Sequence, residues 1–459
     1  MELDEARWLT LERRPAETLR AALERTLRDE IRAGTLREGV RLPSSRTLAV
    51  SLGVSRGVVS DAYGQLEAQG FLVTRPRSAP TVAGVPQTVA SPREPEPAVV
   101  RPRYDLTPTT PDVTLFPLAR WLSASQQAAR SAGAATLDYG ESRGERVLRE
   151  ALADHLGRTR GVTAEPEQIV VVQGTAQAVD LLLRLLLQRG ATRVAVEDPS
   201  HTRQHERIRT LGFELVPQPV DGRGLLVAGL AADAVLVTPA HQFPTGSVLS
   251  GERRRELLAW ARASGGLVVE DDYDAEFRYD REPIRALQGL APQHVVQVGT
   301  VSKTLAPALR LGWLVTPPAL ADDAERTKRL LDDFSPALDQ LTLARFLTSG
   351  HYDRHVRRAR SVYRARRDRL VAALGHELPD LAIEGVAAGV HVLLRLPPDI
   401  DDATVAEAAH RARIAVPPLS AFRVRPAGDG GLVVGYGRLH ETAVAPATRA
   451  LARVVRSHL

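Results

Sequence analysis

The sequence predicts a multidomain chain in which a small helical unit with a β-wing precedes a large α/β unit. Three observations predict it. The 459 residues exceed what one ordinary hydrophobic core organises. The stretch Gly84 to Arg103 holds five prolines and no apolar periodicity, so it divides the chain. Ahead of it apolar residues recur at helical spacing; beyond it continuous β-branched runs alternate with amphipathic stretches.

Composition narrows the function classes. With 44% hydrophobic and 25% charged residues the chain reads as soluble and globular. It has no cysteine, which excludes disulfides, thiolate metal sites and cysteine nucleophiles. No signal-like segment opens it, and no apolar run approaches the ~20 residues that span a bilayer, so a cytoplasmic location is expected. The net charge of +5 permits nucleic-acid binding without requiring it.

Within the first unit, Leu19, Leu23, Leu27 and Ile31 recur every four residues and Gly34 follows, which predicts an amphipathic helix. Ser44 or Ser45 can cap a short second helix through Leu52, broken by Gly53. Ser55 caps a third through about Ala68, with Val58, Val59, Ala62, Tyr63 and Leu66 facing inward. Gly70 then turns the chain into short β segments at Phe71–Thr74 and Thr81–Val82. Two helices around a glycine turn, followed by a wing, describe a winged helix-turn-helix. It would bind double-stranded operator DNA, with the Ser55 helix in the major groove and Ser44, Arg46, Ser55, Arg56, Arg75 and Arg77 on the DNA side. Bulk charge is no argument for this, since residues 1–84 hold 13 Arg against 11 Asp and Glu.

The tether from 84 to 103 would reach ~60 Å at ~3.1 Å per residue. Beyond it QIVVVQG, RVAVED, AVLVTPA, GLVVEDD, HVVQVGT and LGWLV read as strands of a buried, mostly parallel sheet. The C-terminal part reads as a smaller α/β lobe, entered through the arginine-rich segment from Gly350 to Gly375, which is read as a solvated helix face.

Lysine usage singles out one chemistry. Of 60 basic residues only Lys303 and Lys328 are lysine. Arginine stays protonated, whereas a desolvated lysine amine can lose its proton and condense with an aldehyde. Pyridoxal 5′-phosphate needs such an amine, an anionic partner for its ring nitrogen and donors for its phosphate. Lys303 supplies the first and Asp271, at the end of GLVVED, the second; Tyr273 can reach the phenolic oxygen. Arg310 offers a fork to the phosphate, and Gly174-Thr175-Ala176-Gln177 opens a helix after a strand.

In this order, these features resemble the fold-type I aminotransferases across residues 104–459. The motif G-x-x-x-G-x-R-L-P-S-S-R-x-L-A followed by L-G-V-S-R resembles the DNA-binding domain of GntR regulators. Together, with LDYGESRGERVLREALADHL, VTPAHQFPTG and EDDYDAEFRY, the whole chain resembles the MocR subfamily. The resemblance implies a winged helix-turn-helix over 1–83, a linker over 84–103 and an aminotransferase-like, pyridoxal-phosphate-binding effector and dimerisation domain over 104–459. It makes Lys303 the Schiff-base lysine, Asp271 the ring-nitrogen partner and Tyr273 the phenolate partner. It surrounds the phosphate with Thr175, Ala176, Gln177, Thr300, Ser302 and Arg310, and stacks His201 on the ring. It lends Tyr139 to the neighbouring subunit, which implies a homodimer, and assigns Arg203 to an effector carboxylate.

The chain departs from the pattern in several places. The wing tip reads Arg77-Ser78-Ala79-Pro80 where Gly-Ser-Gly is usual, and Val58 stands where threonine is common. His201 replaces an aromatic stacking residue, and Phe243-Pro244-Thr245-Gly246 replaces the Asn-Pro-x-Gly turn of working aminotransferases. The C-terminal arginine that clamps a substrate carboxylate is absent near Val433, with Arg438 close by. The expectation is therefore a regulator that senses pyridoxal phosphate, or an amine or amino acid reacting with it, and no metal. The competing class is an active aminotransferase with an accessory DNA-binding module.

Overall fold

Thr18 starts the first helix, α1 (Leu19–Arg32): its hydroxyl accepts from the Ala21 N–H at 3.2 Å. Ser44 likewise caps α2 (Ser45–Leu52), and Ser55 caps α3 (Arg56–Ala68). Gly53 closes α2 at φ +65°, a left-handed conformation that lets the chain turn into α3 within three residues. The wing is an antiparallel pair, β1 (Leu72–Val73) and β2 (Thr81–Val82). This computed structural model describes residues 9–75, 78–84, 101–279, 284–426 and 428–459. Arg77 and most of the 84–103 tether lie outside the described residues.

The chain divides into two units, Met1–Val100 and Arg101–Leu459. Leu23, Leu27, Leu48, Val59, Ala62 and Leu66 form the centre of the first, all under 2% exposed. Leu19 instead stays 38% exposed at the start of α1, and Val58 is only half-buried. Leu23→Ala is expected to cost about 2–5 kcal/mol, transfer loss plus a cavity that rigid helix neighbours cannot close. Calorimetry of the full chain should show this as a lowered transition for the N-terminal unit.

The second unit starts at β3 (Tyr104–Asp105). Its centre is an eight-stranded sheet of β4 (Ile169–Val172), β5 (Arg193–Asp198), β6 (Glu214–Asp221), β7 (Gly224–Leu225), β8 (Ala234–Val237), β9 (Leu267–Asp272), β10 (Val295–Thr300) and β11 (Gly312–Val315). The spatial order is β4-β11-β10-β9-β8-β5-β6-β7. The run β10-β9-β8-β5-β6 is parallel, and β11 is antiparallel to both of its neighbours. All six predicted runs are strands of this sheet. Their continuous hydrophobicity follows from burial on both faces: Ile169 and Val171 join one core, Val170 and Val172 the opposite one.

β6 was not among the predicted strands, because Pro217 and Pro219 break the usual strand signature. Its partner β7 pairs only with Val220 and Asp221, so the prolines face no ladder on that side. The smaller lobe holds β12 (Ile383–Glu384), β13 (His391–Arg395) and β15 (Gly431–Gly435) in one antiparallel sheet. β14 (Ile414–Ala415) pairs in parallel with β3. The arginine-rich segment is one helix, His351–Glu377; its Arg366 is buried and paired with Asp112 at 2.6 Å. No helix among the described residues is long and apolar enough to cross a membrane.

Candidate functional site: a polar cavity at the strand ends

Parallel strands bring their carboxyl ends to one edge, and the loops that follow them meet there. A cavity of about 310 Å³ lies at the ends of β5, β8, β9 and β10 and beside the helix Thr175–Gln188. The two-residue repeat of β9 explains its floor. Val269, Asp271 and Tyr273 face the cavity, while Glu270 and Asp272 face away. Glu270 accepts from the Leu287 and Gln288 N–H groups, and Asp272 pairs with Arg160 at 2.7 Å.

Lys303, in the turn after β10, lines the cavity with Asp271, and the two interact electrostatically. Burial pushes the lysine amine down, with Asp271 and Asp274 opposing and Arg203 assisting. Burial, reinforced by the Asp272 charge and opposed by Lys303, pushes the Asp271 carboxyl up to about 7. Asp271 Oδ1 is shut off from solvent and has no hydrogen-bond partner among the described residues. A buried acceptor in this condition calls for a donor.

The Asp271 proton has a measurable consequence. Its ordinary value is 3.8, so between there and about 7 the folded chain holds a proton that the unfolded chain releases. The associated stability is complete below that range and is lost as pH rises through it. Asp271→Asn should therefore make the cofactor-free protein's stability fall less steeply from about pH 4 to about pH 7 than the wild type's. Urea titrations across that range check it; parallel pH curves for the two proteins would refute it.

An anion cradle lies at one end. Gly174, at φ +81°, caps the helix Thr175–Gln188 without a side-chain hydrogen bond. The Gln177 and Ala178 N–H groups return to the Gly174 carbonyl, so the leading donors of the helix, on Thr175 and Ala176, point outward. A Cβ on Gly174 would meet the Arg310 guanidinium at 3.2 Å, so the absent side chain makes room for that fork. Thr300 Oγ1 and Ser302 Oγ, 2.8 Å apart, complete this end.

Gln177 departs from the sequence reading. It does not line the cavity; its Nε2 donates to Asp332 and its Oε1 accepts from the Gln173 N–H, both at 2.7 Å. Tyr139 is 88% exposed, set edge-on to Phe334, and does not line the cavity of its own chain. His201 does, with its ring 5.6 Å from that of Phe243. Burial, then the charges of Lys303 and Arg203, push His201 down to about 4, so the ring is neutral at neutral pH.

Arg203 lines the cavity from the helix Thr202–Thr210, with Arg207 one turn on. Val433 is fully buried in β15, and Arg438 is bound to Asp105 at 3.0 Å away from the cavity. In the first unit Arg46, Arg56 and Arg75 are exposed, and Arg56 Nε donates to Ser45 Oγ at 3.3 Å, tying α3 to α2. Ser44 and Ser55 are exposed at the helix starts they cap.

Sequence reasoning missed several features. Glu197 lines the cavity, is pushed up to about 7 by burial, and accepts from Thr238 and Gln242. His241 and Asp274 form a buried pair at 2.9 Å, and Tyr273 Oη lies 3.2 Å from His241 Nδ1. Gly389, ahead of β13 at φ +63°, abuts this pair: a Cβ there would clash with His241 and stand 2.5 Å from Asp274. Gly246 meets Gly385 in the same way, since a Cβ on Gly246 would stand 2.7 Å from the Gly385 Cα. VTPAHQFPTG and EDDYDAEFRY hold both partners, yet only the fold shows that they touch.

Two family models match the chain. The family "Bacterial regulatory proteins, gntR family" matches residues 19–82, and "Aminotransferase class I and II" matches residues 109–440. The HTH-type pyridoxine biosynthesis transcriptional regulator PdxR of Corynebacterium glutamicum is 34% identical over 90% of this chain and 91% of its own. The "Probable rhizopine catabolism regulatory protein MocR" of Rhizobium meliloti is 32% identical over 93% and 92%. Among solved structures, an archaeal alanine:glyoxylate aminotransferase aligns with a TM-score of 0.73 at 26% identity, over 79% of this chain and 92% of that one. A Pyrococcus horikoshii kynurenine aminotransferase, solved with PMP, aligns at 0.71 and 25% identity, over 77% and 91%. With a GntR helix-turn-helix joined to an aminotransferase class I and II domain over nearly its whole length, the chain belongs to the MocR-like transcriptional regulators of the GntR family.

Proposed function

We propose that this regulator binds operator DNA as a homodimer, carries pyridoxal 5′-phosphate on Lys303, and changes its DNA affinity with the occupancy of that site. In this reading residues 1–83 read DNA, 84–103 tether, and 104–459 sense and dimerise. One observation carries it: a desolvated lysine and an orphaned buried carboxylate oxygen, on Asp271, line one cavity. The residues fit the cofactor. Asp271 would accept from the ring N–H, Lys303 would bond the aldehyde carbon, and Tyr273 would face the phenolic oxygen. Thr175, Ala176, Thr300, Ser302 and Arg310 would hold the phosphate, His201 would stack on the ring, and Tyr139 would reach the partner subunit's site. When bound, the cofactor supplies an electrophilic carbon at which an incoming amine can exchange with the lysine.

The chain's own residues then decide what is sensed. Arg203 lines the cavity with Lys303, so a carboxylate on an incoming amine would meet it. The paired clamp of an aminotransferase is missing, since Val433 is apolar and Arg438 is engaged by Asp105. Turnover of ordinary L-amino acids should therefore be slow or undetectable. The deciding experiment measures operator affinity of the full chain with and without pyridoxal phosphate, then with a panel of amines, for wild type and Arg203→Ala. If an amino compound is the signal, Arg203→Ala raises its effective concentration and leaves cofactor uptake intact. If the cofactor itself is the signal, Arg203→Ala leaves the response unchanged. Rapid transamination by the wild type would favour the enzyme reading instead.

A further inference from the structure

Arginine fills 58 of 60 basic positions, so Lys328 raises the same question as Lys303. It has no exposed surface at all. From the helix Ala321–Asp332 its ammonium donates to Asp332 Oδ1 at 2.5 Å and to Ser335 Oγ at 3.1 Å. A compact ammonium on an unbranched stem suits two acceptors in a closed space; a guanidinium would bring five donors in a fixed plane.

Asp332 is the last residue of its helix, an end whose dipole disfavours a carboxylate. Lys328 compensates that charge. The other Asp332 oxygen accepts from Gln177 Nε2 at 2.7 Å and Gln173 Nε2 at 3.4 Å. Gln177 Oε1 accepts the Gln173 N–H at 2.7 Å, and the Gln173 carbonyl accepts from Arg310 Nη2 at 2.5 Å. The bonds thus run from the buried lysine through Asp332 to both sides of Gly174, the turn that presents the cradle. Stability alone is a weak reason for such a pair, since buried ion pairs can often be replaced by apolar residues at no cost to the fold.

We propose that Lys328 is a positioning residue for the cradle. Through Asp332 it fixes the Gln173–Gln177 turn, and with it the Arg310 guanidinium and the Thr175 and Ala176 N–H groups, against a phosphate monoester. The inference rests on the cofactor reading above and adds a second lysine to it.

The test compares equilibrium binding of pyridoxal 5′-phosphate with that of pyridoxal, which has the same aldehyde and ring but no phosphate. It uses the full chain as wild type, Lys328→Met and the double variant Lys328→Met with Asp332→Leu. The double variant buries no unpaired charge, so it decides the matter if the single variant does not fold. Preference for the phosphorylated ligand should fall by roughly tenfold or more in the variants, with pyridoxal affinity retained. A folded double variant with wild-type preference overturns the proposal, as does equal weakening toward both ligands. A wild type that binds both ligands equally overturns the phosphate reading of the site, and this inference with it.

Discussion

Lys303→Ala is expected to abolish covalent retention of pyridoxal phosphate altogether. Burial lowers the affinity of this amine for its proton, which makes it the nucleophile that a permanently charged guanidinium cannot be. No other side chain can take its place. The 58 arginines stay protonated, and Lys328 is sealed from solvent and engaged by Asp332 and Ser335. Borohydride treatment of the wild type should fix one cofactor per chain to the peptide that holds Lys303, and none in the variant. The visible absorbance should vanish with it, and any response of DNA binding to the cofactor should vanish too. Label recovered on Lys328 would end the assignment.

Arg56→Ala is the second large expected effect. Arg56 is the first residue of α3, exposed, at the helix end that enters the major groove in helix-turn-helix proteins. If it reads a base, its loss should cost about 1–3 kcal/mol and relax the sequence preference at one position. Arg46 and Arg75 are exposed on the α2 helix and just after the β1 strand, where phosphate contacts are expected. Their alanine variants should weaken binding evenly across sequences and each lower the salt slope by about one. Titrations of operator and scrambled duplex at several salt concentrations separate the two patterns. Equal weakening on both duplexes for Arg56→Ala would move that residue to the phosphate class.

Much of the fold was legible because its signals are local. Ser44, Gly53 and Ser55 punctuate α2 and α3 through caps and a left-handed turn, which need only neighbours in sequence. Strand runs such as IVVV announce burial on two faces. Lys303, Asp271 and Tyr273 could be proposed because strand ends in a parallel sheet converge and lysine is scarce. What escaped depends on contacts between distant segments. Glu197 reads as an ordinary strand-end acid until Thr238 and Gln242 are found on it. Gln177 reads as a cradle donor until Asp332, far along the chain, takes its side chain. Arg207 was hidden among the arginines of one helix, and only the cavity wall distinguishes it.

The meeting of Gly246 with Gly385 has a mechanical consequence. Side chains absorb small displacements by changing rotamer, whereas backbone pressed on backbone has no such slack. The joint between the sheet and the smaller lobe therefore has little backlash at this point. A shift of the loop that holds Gly246 should therefore be felt at Gly385, and a shift of the lobe should be felt in return. If an event in the cavity is to be felt in the smaller lobe, such a joint conserves the displacement where a well-padded one would dissipate it.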